Sequence, residues 1–280
     1  MDKQEGRCGV KYADLHVHTS RSDGTFTPEQ LVKEGLARGF SAIAITDHDT
    51  IEAIPQAQAA AQGTDLEVIP GIELTAQYES QEIHILGYFI DYKNEALLDK
   101  LKTVQLNRIE RIYKIVNNLG EQGVNLNPQS VFDISGKGTA GRMHIARALV
   151  KEGWVATTAE AFRKYIGDKS PAYALGFNLS PLEAINLIKG AGGLAVLAHP
   201  YILHNDALID EFCGYGLEGI EVYYPEHSQS MVNFYLDLAK KLNLLVTGGS
   251  DFHGSVKPEI KLGAIKIPIE LVEKLRQSKR

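Results

Sequence analysis

At 280 residues, 44% hydrophobic and 23% charged, the chain has the composition of a water-exposed globule, which sets aside a disordered, fibrous or membrane-embedded protein. A chain this long buries roughly three-quarters of its unfolded surface and needs no covalent staples. With 29 basic against 35 acidic residues and a net charge of −6, a grip on duplex DNA through a broad basic face is excluded, whereas a small anion held at a local site is not.

Cys8 and Cys213 have no CxxC spacing, so neither a disulfide framework nor a zinc ribbon is implied, and a reducing compartment suits them. The polar start Met1–Arg7 leads into no apolar h-region, and no apolar run is long enough to span a bilayer. The expectation is a cytoplasmic protein without a membrane partner.

In chain order, a strand is predicted over Tyr12 to His18 and a helix over Pro28 to Arg38, with Thr27 as N-cap and Gly39 closing it. A buried strand over Ser41 to Thr46, an Ala/Gln-rich helix over Ile51 to Gln62, and strands over Leu66 to Thr75 and Glu82 to Ile90 follow. From Glu95 to Tyr165 the pattern is almost wholly helical: Glu95 to Leu119, Arg142 to Lys151 and Thr158 to Tyr165. The alternation then resumes with helices over Pro181 to Lys189, Asp206 to Cys213 and Ser228 to Leu242, and a last one from Ile269. Its strands are Leu194 to Ala198, Gly219 to Tyr223, Leu244 to Thr247 and Gly263 to Ile267. This rhythm implies an α/β fold of parallel strands with helical crossovers, and about seven strands suffice to close a barrel. Residues 1–94 and 172–280 are read as the barrel and 95–171 as an inserted helical subdomain.

The nine histidines concentrate near strand ends. His16 and His18 alternate on one strand and so share a face. Asp23 follows in S-D-G, His48 in T-D-H-D, Glu73 in G-I-E-L and His84 in I-H-I-L-G-Y, while His199 ends L-A-V-L-A-H-P and Asp251 and His253 sit in S-D-F-H-G. Taken singly these have ordinary readings: a core histidine, an Asp-Gly turn, or a polar T-D-H-D loop in which Asp47 caps the next helix. Taken together, at the mouth of one barrel, they point to a metal site. Imidazole and carboxylate without thiolate suit manganese, zinc or iron.

The segments H-V-H-T-S-R-S-D-G, I-T-D-H-D, G-I-E-L, I-H-I-L-G-Y, L-A-H-P and S-D-F-H-G, in this order, resemble the motifs of the PHP (polymerase and histidinol phosphatase) superfamily over nearly the whole chain. The resemblance implies a distorted (β/α)7 TIM-like barrel with two to three divalent ions at its mouth. By motif, His16, His18, Glu73 and Asp251 would hold the first ion. Glu73, His84 and His199 would hold the second, and Asp23, His48 and His253 the third. Asp23 stands where some members carry histidine. Such a cluster carries excess positive charge and suits a phosphate ester, attacked by a hydroxide held between the metals. Glu73, Asp251 and His253 are the residues expected closest to the chemistry.

Thr139-Ala140-Gly141-Arg142-Met143-His144-Ile145-Ala146 resembles a G-R-x-H-I-A segment of the branch containing nucleoside 3′,5′-bisphosphate phosphatases and 5′→3′ exoribonucleases. Arg142 at a helix start offers a planar fork and free amides to a phosphate, with His144 beside it; a solvated first turn is the alternative. In Glu221-Val222-Tyr223-Tyr224-Pro225-Glu226-His227, Tyr223 or Tyr224 would stack on a base and His227 reach a leaving oxygen, or one tyrosine packs under the rim. The resulting expectation is a metal-dependent phosphoesterase acting on a nucleotide or an RNA 5′ end, with no protein partner evident. A histidinol-phosphate phosphatase and a non-catalytic metal-binding module are the alternatives.

Overall fold

A computed structural model describes residues 11–79, 81–176 and 179–279; Cys8 and the polar chain start lie outside the described residues. In chain order the elements are β1 (Tyr12–Val17), α1 (Pro28–Ala37), β2 (Ala42–Ile45), α2 (Ile54–Ala61), β3 (Glu67–Tyr78), β4 (Gln81–Tyr88) and α3 (Glu95–Glu121). Then come α4 (Pro128–Ser135), α5 (Arg142–Lys151), α6 (Thr158–Ala161), which runs into a π-helical turn over Phe162–Ile166, α7 (Pro181–Gly190) and β5 (Leu194–Leu197). The chain ends with α8 (Ala207–Gly214), β6 (Gly219–Tyr223), α9 (Gln229–Leu242), β7 (Leu245–Gly248), β8 (Ile267–Pro268) and α10 (Ile269–Ser278). Among the described residues, no helix is long and apolar enough to cross a membrane.

Local chemistry sets the boundaries. Thr27 and Gln30 form a reciprocal capping box before α1, and Ser180 and Glu183 form another before α7, each followed by a proline in the first turn. Asn94 caps the long α3 by accepting the Leu97 N–H. The short helix α4 was not expected from the sequence. Its signal is present: Asn127 accepts from Gln129, Pro128 opens the helix and Gly136 ends it at φ 57°.

One sheet of eight strands runs β7-β6-β5-β4-β3-β2-β1-β8. The expectation of parallel strands throughout is corrected at β4, which is antiparallel to both β3 and β5. β3 and β4 are joined by a tight hairpin, entered by Glu79 at φ 52°, and so short a connection reverses the chain. The expected strand over Gly263 to Ile267 shrinks to the two residues of β8, antiparallel to β1. The barrel nearly closes where β1 meets the end of β7, with His18 N–H donating to Phe252 O at 2.9 Å. A Cβ on Gly249 would lie 2.3 Å from His16 N, so only glycine lets the chain pass there.

Alternate strand residues feed two apolar layers, as the two-residue period of a strand requires. Ile43, Ile45, Ile85 and Leu197 pack outward with helix residues such as Leu31, Ile54, Ile185 and Phe212. Ala42, Ala44, Leu86, Tyr88 and Val196 pack with Leu15 and with Val272 and Leu275 of α10. A third cluster lies among the helices: Ile112, Ile115 and Leu119 of α3 with Val131, Ile145, Leu149 and Ile166. The start of α3 instead places Leu97, Leu101 and Val104 in the first cluster, beside α7, so this helix straddles both cores.

Candidate metal centre and the cavity above it

The elements deliver the nine ligand-type residues to one place. His16 and His18 come from the end of β1, Asp23 from the following turn, Glu73 from β3 and His84 from β4. His48, just past β2, is bridged to Glu73 through the backbone. His199 follows β5, and Asp251 and His253 follow β7. His199 at φ 27° and Asp251 at φ 52° hold left-handed backbone, a cost of about 1–3 kcal/mol each that surrounding contacts must offset.

Glu73 is the hub. Its Oε2 lies 3.2 Å from His16 Nε2, His18 Nε2 and His48 Nδ1. Its Oε1 lies 2.8 Å from His84 Nδ1 and 3.2 Å from His199 Nε2. Asp251 Oδ1 is 3.2 Å from His18 Nε2 and 3.5 Å from His16 Nε2, and Asp23 Oδ1 is 3.2 Å from His253 Nε2. One carboxylate cannot accept well-directed hydrogen bonds from five rings. His18 Nε2, His48 Nδ1 and Asp23 Oδ1 are indeed buried without a hydrogen bond of proper geometry. Lone pairs converging on one another in this way fit divalent cations.

Three overlapping groups place their ligand atoms within 4.8 Å of one another: His18, Asp23, His48 and His253; His16, His18 and Asp251; and His48, Glu73 and His84. The grouping departs from the motif-based sets in each case, and Glu73 is absent from the group of His16, His18 and Asp251. His18 joins the third set, and His48 rather than His199 completes the second, while His199 Nε2 stays 3.3 Å from His84 Nδ1.

The electrostatics suit the same reading. Burial opposes charge on His18 and His84, but hydrogen bonds and charges from Asp251, Glu73 and Glu82 outweigh it and raise them to about 9 and about 10. Burial likewise works against ionised Glu73, yet His48, His84 and His16 hold its carboxyl well below the usual range. His48 is pushed well below an ordinary imidazole, chiefly by burial.

Residues outside the cluster orient it. Glu221 Oε1 accepts from His16 Nδ1 at 2.9 Å, and Oε2 accepts the His199 N–H at 2.8 Å. Asp47 does not cap the next helix. It accepts from Thr19 N at 2.7 Å and Ser22 Oγ at 2.5 Å, tying down the loop between His18 and Asp23. Sequence reading gave Glu221 no role, although its place on β6 beside the tyrosines is a usable signal.

A cavity of about 280 Å³ opens over the cluster, bordered by His48, Glu73, His84, His199, Asp251 and His253 and by three arginines. Arg108 Nε is 2.6 Å from Asp49 Oδ2, and its Nη2 donates to Thr75 Oγ1 at 2.6 Å. Arg111 Nη1 is 2.7 Å from Glu82 Oε2, while its Nη2 is buried with no hydrogen-bond partner. Arg142 lines the same wall, 3.0 Å from Glu82 Oε1 and paired with Asp168. Half-buried Arg108 and buried Arg111 were not singled out from sequence, where nothing separates them from arginines on a solvated helix face.

The other expected substrate contacts divide. Tyr224 borders the cavity and donates its hydroxyl to Asp251 Oδ2 at 2.9 Å. His144 is 1% exposed, and its Nδ1 accepts the Gly141 N–H at 3.0 Å, so it caps α5. Burial lowers it to about 4, which keeps that acceptor neutral. His227 is buried with Nδ1 2.8 Å from Val222 O, and neither it nor Tyr223 borders the cavity.

The PHP domain model matches residues 14–136. A 5′-3′ exoribonuclease of Salmonella typhimurium is 35% identical over 257 residues, covering 89% of this chain and 87% of that one. A 3′,5′-nucleoside bisphosphate phosphatase of Chromobacterium violaceum is 33% identical over 250 residues, covering 86% of each. A crystal structure from Bifidobacterium adolescentis, provisionally assigned as a metal-dependent phosphoesterase, superposes with a TM-score of 0.87 at 33% identity over 94% of both chains.

Proposed function

The chain belongs to the PHP family of metal-dependent phosphoesterases, and on that premise we propose that it acts on a nucleotide bearing two phosphates. The reacting phosphorus is on O3′ and the second phosphate on O5′, as in a nucleoside 3′,5′-bisphosphate or the 5′ end of a short RNA. The relatives named as a bisphosphate phosphatase and an exoribonuclease support this class, since both substrates share that arrangement.

The observation that carries the proposal is the cavity's division. Its floor is the cluster around Glu73, and one wall holds Arg108, Arg111 and Arg142. In this reading His16, His18, Glu73 and Asp251, then Glu73, His84 and His199, then Asp23, His48 and His253 hold two to three divalent ions. Such ions would supply Lewis acidity, activating water and neutralising phosphoryl charge. Glu73 keeps its carboxylate unprotonated among the imidazoles, and Asp251 presents Oδ1 inward while Tyr224 holds Oδ2. The His253 Nδ1–H donates to Asp251 O at 2.8 Å, which leaves Nε2 directed at Asp23. The arginine wall takes the 5′-phosphate. Arg142 brings a planar fork, and Arg111 brings a buried N–H that still needs an acceptor.

The test is phosphate or nucleotide release from a panel of substrates by manganese-loaded protein: a nucleoside 3′,5′-bisphosphate, a 5′-phosphorylated short RNA, an aryl phosphate and histidinol phosphate. The proposal expects the first two to exceed the others in kcat/KM. A preference for histidinol phosphate would replace it.

A further inference from the structure

Lys257 borders the same cavity, yet neither the motifs nor the metal-ligand set gives it a role. Its position is fixed rather than incidental. Gly254, at φ 70°, starts a 3₁₀ turn over Gly254–Val256 that folds the chain back toward Asp251. Thr25 straps this turn from the other side: its N–H donates to His253 O at 3.2 Å, and its Oγ1 accepts from Ser255 N at 2.9 Å.

The Lys257 ammonium lies 2.7 Å from Asp251 Oδ2, the oxygen that also accepts from Tyr224 at 2.9 Å. The carboxylate is thereby divided. Oδ2 faces two protein donors, and Oδ1 faces His18 and His16. A neutral hydroxyl is enough to hold Oδ2 outward, so orienting Asp251 does not require a full positive charge. An ammonium has three protons, and among the described residues Asp251 Oδ2 is the acceptor found for it. Two N–H groups are left for a ligand in the cavity. Asp251 balances this charge in the metal-free site, and divalent ions drawing on the same carboxylate would leave the ammonium open to an arriving anion.

We propose that Lys257 is a further catalytic residue, whose ammonium, anchored on Asp251, donates to a non-bridging oxygen of the reacting phosphoryl group. This rests on the phosphoesterase reading of the site. The cavity then has two distinct anion seats: the arginines of α3 and α5 for the phosphate that stays, and Lys257 beside the ligand cluster for the one that leaves. A lysine suits the second task, because a compact point charge follows a changing phosphoryl geometry better than a rigid fork does.

The test compares Lys257→Met and Lys257→Arg with the wild type, each loaded with manganese and assayed for metal content, kcat, KM and inhibition by inorganic phosphate. Lys257→Met is expected to keep the wild-type metal content, to lose at least ~10²-fold in kcat, and to bind inorganic phosphate at least ~10-fold more weakly. Lys257→Arg recovers part of the phosphate affinity. If Lys257→Met loses metal while phosphate inhibition of the reloaded protein is unchanged, Lys257 only orients Asp251 and the proposal is overturned. A wild-type protein that turns over no phosphate ester would overturn it differently, through the functional reading beneath it, and would be recognised by absent turnover in every sample.

Discussion

His16 Nδ1 lies 2.9 Å from Glu221 Oε1, and both side chains are fully buried. In the neutral ring that a metal ligand must be, the contact makes Nδ1 the protonated nitrogen and leaves the Nε2 lone pair aimed toward Glu73 and Asp251. The same carboxylate accepts the His199 N–H, so one residue orients two of the expected ligands.

Glu221→Gln is therefore expected to weaken metal binding by ~10–100-fold with the fold retained. Competition with a chelator of known affinity measures this, alongside far-ultraviolet circular dichroism. Unchanged affinity would remove Glu221 from the account.

Metal loading should release protons. In the metal-free chain His18 and His84 titrate near 9 and 10, raised by Asp251, Glu73 and Glu82 against the opposing effect of burial, so at pH 7.5 both rings are protonated. Cations must displace those protons, and also the one on His16, which Glu221, Glu73 and Asp251 hold well above an ordinary imidazole against burial, so affinity should climb from pH 6.5 to 9 with protons released as the cluster fills. Calorimetry in buffers of different ionisation enthalpy reads the number directly. The sign for stability is the reverse: raised histidines stabilise the metal-free fold fully below about 6.5 and cease to do so as pH passes 9 to 10.

Glu73→Gln should reduce turnover by at least ~10³-fold, roughly 4 kcal/mol of barrier. The substitution removes a charge and turns one oxygen facing the imidazoles into an N–H donor. Retention of more than a tenth of wild-type activity would show that Glu73 is not the hub.

Much of this site was legible in the sequence because its chemistry is local to strand ends. H-V-H, T-D-H-D, G-I-E-L and S-D-F-H-G each carry their ligands within a few residues, and a barrel mouth gathers strand ends whatever the helices do. The reversal of β4 was not legible. Two adjacent apolar strands have the same residue pattern whether they pair parallel or antiparallel, and only the short link after Tyr78 distinguishes them. His144 was misjudged because a motif match fixes position but not exposure; its ring turns inward to cap Gly141. Arg108, Arg111 and Lys257 escaped because long charged side chains on helices and loops look alike in sequence whether they face solvent or a cavity. Glu221 was hidden by its more conspicuous tyrosine neighbours.

After reconstitution with manganese, zinc or iron, elemental analysis should find two to three ions per chain. Fewer than one would leave the convergence of lone pairs around Glu73 without an explanation.

The most direct test of the two-phosphate account is Arg142→Ala, assayed as kcat/KM on a nucleoside 3′,5′-bisphosphate and on the matching nucleoside 3′-monophosphate. Glu82 keeps its contact with Arg111 in this variant, so the wall retains a partner for that carboxylate. The bisphosphate should lose roughly 2–3 kcal/mol of transition-state binding, ~30–150-fold, while the monophosphate changes little. Equal losses on both substrates, or none on either, would contradict a 5′-phosphate seat at Arg142.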